Sequence, residues 1–84
     1  MTKNFRTASV ATLNIVLDRI ELWLSEHRYT SVARSSVLPE AIVFVLTDDR
    51  AIRFGADGSV LMVEDDEPYV IDAIHAIPNL LRTR

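Results

Sequence analysis

"AIVFVLT", residues 41–47, carries no polar side chain until its last position. A strand points successive side chains to opposite faces, so Ile42, Phe44 and Leu46 lie on one side and Ala41, Val43 and Val45 on the other. A strand with one wet face alternates apolar and polar residues. This one is apolar on both, and its reading governs the rest: a sheet built around it needs cover on two sides.

Downstream, "TDDR" turns the first strand into a second over 50–54, and "GADG" turns that into a third over 59–64. In the third strand Val60 and Met62 oppose Leu61 and Val63. Only the middle strand alternates, with Ile52 and Phe54 against Ala51 and Arg53. A slip of one residue would exchange the faces, yet both stay substantially apolar in every register. "EDDEP" then predicts a second helix over 67–77, with Asp65 or Asp66 as its cap and Pro68 in its first turn. Val70, Ile74, Ile77 and Leu81 form its stripe; Pro78 ends or kinks it, leaving a short turn at 79–82.

Upstream, residues 28–40, "RYTSVARSSVLPE", predict a connecting loop in which Val37 and Leu38 tuck under the sheet. Before it, Val10, Leu13, Leu17, Ile20 and Leu24 recur at helical spacing, widened by Val16, Trp23 and His27. The prediction is an amphipathic helix over 8–27, capped by Thr7 or Ser9. Ala8, Ala11, Ile15 and Leu22 make a second, weaker apolar strip on its far side.

The expected fold is therefore a two-layer α+β domain spanning 1–84: an N-terminal helix, a three-stranded antiparallel meander and a C-terminal helix, with both helices on one sheet face. Eighty-four residues leave no room for a second core. Three arrangements would cover the other face: one helix on each side, a homodimer interface, or a different protein. Edge-to-edge pairing of the all-apolar first strand and stacking of open faces are the two forms of the homodimer. The second strip on the first helix favours self-association, through Ile15, Leu22, Val43, Val45, Leu61 and Val63.

Composition narrows the function classes. Apolar residues at 49% and charged residues at 25% describe a folded globule. The absence of cysteine excludes disulfides and thiolate metal sites and fits a reducing compartment. The longest apolar run, 41–46, is far short of a membrane span. Lys3 and Arg6 precede an apolar stretch, but Thr12 and Asn14 break it and no cleavage site follows, so a cytoplasmic location is expected.

Charge is uneven. Residues 1–39 hold five bases and three acids, a net +2; residues 40–84 hold four bases and nine acids, a net −5. A meander brings the turn after its first strand and the exit of its third to one end, so Asp48 and Asp49 are expected near Glu64, Asp65, Asp66 and Glu67. Such an end suits a protein partner, or mimicry of a nucleic acid. It has no calcium-loop spacing, and neither metal nor cofactor is expected. Double-stranded-RNA-binding domains share the order helix, three strands, helix, but need bases at the start of the second helix. Here that position is acidic, and direct nucleic-acid binding is not expected.

No nucleophile sits in a catalytic signature, and "GADG" leads into a strand where a phosphate loop needs a helix. Asp72 and His75, three apart on the expected second helix, are the one candidate acid–base dyad. The reading is a small non-enzymatic interaction module of adaptor or inhibitor type. Its alternatives are a phage-type acidic mimic of nucleic acid and a minimal enzyme using Asp72 and His75.

Overall fold

The computed structural model describes residues 4–82. Helix α1 (Val10–Glu26) is followed by strands β1 (Val32–Val37), β2 (Ala41–Leu46), β3 (Ala51–Gly55), β4 (Ser59–Glu64) and β5 (Glu67–Ala73), then by helix α2 (Ala76–Arg82). The strands form one antiparallel sheet in sequence order. The α+β class and the helices at both ends are as expected, but the meander has five strands, not three.

Both added strands are edges, and that is why they escaped notice. β1, "VARSSV", is exposed along its whole length, so nothing required it to alternate; Leu38 beyond it is half-buried. β5 occupies most of the stretch expected to be a helix. The acids of "EDDE" do not cap a helix: Asp65 and Asp66 take left-handed φ values of 52° and 64°, making a tight two-residue hairpin between Glu64 and Glu67. Tyr69, Val70 and Ile71 are β-forming residues, and Pro68 is tolerable in a strand because β5 is an edge. Helix α2 begins only at Ala76. Pro78 is its third residue, where no intrahelical bond needs a proline N–H, so it neither breaks nor kinks the helix.

Helix α1 starts on Ser9, whose hydroxyl accepts the Thr12 N–H at 3.1 Å. It ends by bonding the Arg28 N–H to the Ser25 carbonyl and the Tyr29 N–H to that of Leu24. This closing motif puts Arg28 at φ 65°, where glycine is usual. The stripe is shifted from the expected one: Val16, Ile20, Trp23 and Leu24 are buried and Leu13 and Leu17 half-buried, but Val10 is 76% exposed.

These residues pack on Ile42, Phe44, Leu46, Ile52, Phe54, Val60 and Met62, with Ile77 and Leu81 of α2 and Phe5 completing the core. Trp23 and Phe44 each meet the Phe54 ring edge-on. Both helices therefore cover the same sheet face. Three-residue turns close β2–β3 and β3–β4, each ending in a left-handed residue, Asp49 (φ 71°) and Gly58 (φ 89°). A Cβ on Gly58 would lie 2.8 Å from the Ile74 carbonyl oxygen, so the entry to α2 rests directly on this turn.

Candidate interaction surfaces

The register assigns the uncovered face residue by residue. One row across the sheet reads Ser36, Val43, Arg53, Leu61, Val70; the next reads Arg34, Val45, Ala51, Val63, Pro68. Four of the six residues expected to mediate self-association, Val43, Val45, Leu61 and Val63, thus form one contiguous block. Each is partly exposed. Val70, 68% exposed, and Pro68 extend the block on one side; sequence reading missed them because it placed them on a helix.

Arg34 stands at the β1 border of that block, opposite Val45, and Arg53 is the one charge inside it. Its Nη2 lies 3.8 Å from Glu40 Oε1, and Glu40 sits beyond the Ala41–Gly55 pair, at the end of the sheet away from the acidic turns. Asp57, whose carboxyl is held below the usual aspartate range first by the Ser59 hydroxyl and N–H, also feels Arg53. The guanidinium is thereby drawn to the rim while its stem lies along the sheet. The middle of the face is left to aliphatic side chains.

Ile15 (45% exposed) and Leu22 (59%) do share an outer side of α1. That side is across the molecule from the open sheet face, because α1 covers the opposite one. The six residues therefore form two separate surfaces. The expected edge-to-edge pairing of residues 41–47 is also ruled out, since β2 lies inside the sheet between β1 and β3.

The acidic end assembles as expected, though around a different turn. Asp48 and Asp49 lie in the β2–β3 turn, and Glu64, Asp65, Asp66 and Glu67 in the β4–β5 turn, at the same end of the meander. Asp48 accepts the Arg50 N–H at 3.1 Å and its Nε at 2.8 Å. These bonds hold the Asp48 carboxyl below its ordinary range and push Arg50 up. Tyr69 donates its hydroxyl to Glu64, which raises the tyrosine pKa. Among the described residues, no group of three or more His, Asp or Glu side chains is disposed to hold a metal ion.

Asp72 is not on a helix with His75. It lies on β5, opposite Val60, and reaches α1: the Trp23 indole N–H donates to Asp72 Oδ2 at 2.6 Å, and His27 Nε2 lies 3.8 Å from the same oxygen. His27 also stacks on Trp23, with ring centroids 4.0 Å apart. The carboxyl is held below the usual range, first by the indole, then by the Ala73 N–H, with His27 and His75 adding to the effect. Its geometry is that of a latch between β5 and α1.

No family model, curated protein or solved structure matches this chain. Among the described residues, no helix is long and apolar enough to cross a membrane.

Proposed function

We propose that this chain is a small non-enzymatic protein–protein interaction module of adaptor or inhibitor type. It associates with a second copy of itself through the open sheet face and presents the acidic end to another protein. The observation that carries this reading is the aliphatic block of Val43, Val45, Ala51, Leu61, Val63, Pro68 and Val70, uncovered because both helices sit on the other face.

A second copy suits the face for two reasons. Face-to-face sheets pack with aliphatic side chains interdigitating, and a two-fold axis lets one apolar patch serve both sides. The Arg53 head group, held at the rim by Glu40, need not be buried in such a contact. Size sets the strength. Five strands about 4.8 Å apart and two residue rows span roughly 24 by 14 Å, or about 350 Å² in projection per copy. The pair together covers about 700 Å² in projection, below the ~1,200 Å² at which stable specific interfaces begin, and the dimer is accordingly weak and reversible.

Sedimentation velocity over about 10–500 µM tests this, since that range reaches weak, reversible association. The expected result is a reversible monomer–dimer shift that the double variant Val45→Thr, Leu61→Thr abolishes while circular dichroism stays native. A monomer at every concentration would overturn self-association.

A second reading rests on the six carboxylates gathered at one end: the chain would occupy a nucleic-acid-binding protein by charge mimicry. Charge reversal of Asp65 and Asp66 should then abolish partner binding, and added salt should weaken it. Binding indifferent to both would remove that reading.

A further inference from the structure

The two edges of the sheet are not equivalent. Between β4 and β5, Glu64 and Glu67 flank a two-residue turn and so exchange backbone hydrogen bonds; in the next pair, Val63 and Pro68, the backbone groups of Pro68 turn away from β4. The outward position where a donor would stand is therefore a proline nitrogen, which has none. The irregularity near Ile71 and the five acids between residues 64 and 73 close this edge further.

β1 has no such block. The Leu38 N–H bonds the Ala41 carbonyl at 2.8 Å, and alternation from that pair bonds Ser36 to Val43 and Arg34 to Val45. The N–H and C=O groups of Ser35 and Val37 consequently face away from β2, on a strand that is exposed throughout. Its charge is also of one sign. Residues 28–39 contain Arg28 and Arg34 and no acid. A bond from the Phe5 N–H to the Pro39 carbonyl brings the Arg6 segment to the far end of the same strand. Among the described residues, none of these three arginines is in an ion pair. At the start of β1, Arg28 lines a hollow of about 200 Å³ together with Arg50 and Asp48; Arg50 is already paired with Asp48, which leaves Arg28 as the cation there without an acidic partner among the described residues.

We propose that β1 is a docking edge for an extended acidic segment of another protein, which adds to the sheet as a sixth strand beside Val32–Val37. Main-chain bonds to Ser35 and Val37 supply the attachment, and Arg6, Arg28 and Arg34 select acidic side chains. A second copy fits this edge poorly: pairing β1 with β1 crowds two Arg34 side chains together with no acid between them, and β5 is blocked by Pro68. The docking edge uses the outward backbone of β1, whereas the dimer contact uses the aliphatic side chains of β2 to β5; Arg34, opposite Val45, borders both.

The test is selection from a phage-displayed library of random octapeptides, followed by NMR titration of the intact protein with the enriched peptides. Enriched sequences should carry Asp or Glu at alternate positions. Their addition should shift the Ser35 and Val37 amides and slow their hydrogen exchange. Ser35→Pro, which removes one outward donor, and Arg34→Glu, which leaves the backbone intact, should each weaken binding about tenfold or more. Ser35→Pro should leave the sedimentation of the protein alone unchanged. Neutral or basic winners, no enrichment, protection at other amides, or peptide-free protection of Ser35 and Val37 that grows with protein concentration would each overturn the proposal.

Discussion

At the residue scale, Asp72 ties an edge strand to the first helix through one carboxylate oxygen, 2.6 Å from the Trp23 indole nitrogen. Because its folded pKa lies below its ordinary value, Asp72 contributes stability above the ordinary aspartate range. That contribution is lost as the pH falls below about 4, through the depressed folded value. Asp72→Asn should therefore flatten the acid side of the stability profile, read as urea midpoints between about pH 5 and 3. Gly58 is the second residue on which much depends. Gly58→Ala places a Cβ at φ 89° against the Ile74 carbonyl, and should cost more than about 1 kcal/mol in urea unfolding. The importance of Trp23 was legible from helical spacing, as a core residue. Its polar partner was not, because Asp72 lies 49 positions away and only pairing of β5 brings the two together.

At the scale of elements, α1 and strands β2 to β4 follow directly from pattern, because each buries a stripe or a face that the sequence must keep apolar. β1 and β5 were illegible for the converse reason. An edge strand with both sides open to solvent has no face to keep apolar, and "VARSSV" reads as a loop by composition. In β5 the acids and proline that suit a helix start equally suit a hairpin turn and a blocked edge; the left-handed Asp65 and Asp66 decide between them. The end of α1 offers a test at this scale. Arg28→Gly should stabilise the protein by about 0.5–1 kcal/mol, since glycine adopts the left-handed closing position without penalty. The same substitution should weaken capture of acidic peptides by β1. A gain in thermal midpoint with unchanged peptide affinity would take Arg28 out of the docking edge and leave it only the helix-closing role.

For the whole molecule, the two apolar surfaces lie on opposite sides, and a single two-fold contact uses only one of them. With the sheet face as that contact, Ile15→Glu combined with Leu22→Glu should leave the monomer–dimer equilibrium unchanged in sedimentation. Loss of the dimer in that variant would transfer self-association to the outer side of α1. The charge skew also acquires a direction at this scale. The β1 edge is basic, whereas the β4–β5 turn and the β5 edge are acidic, so opposite edges of one small sheet offer opposite electrostatic faces.

By itself the sequence determined the amphipathic first helix, the two-faced character of the central strands and the gathering of acids at one end. These properties are local: they follow from side-chain periodicity and from turns that reverse the chain. Only the tertiary structure decided that five strands pair, that both helices lie on one face, and that Ile15 and Leu22 are separated from Val43, Val45, Leu61 and Val63. Those outcomes depend on partners distant in the chain. Whether a polar segment becomes a loop or an edge strand is settled by the backbone donors its neighbour leaves unpaired.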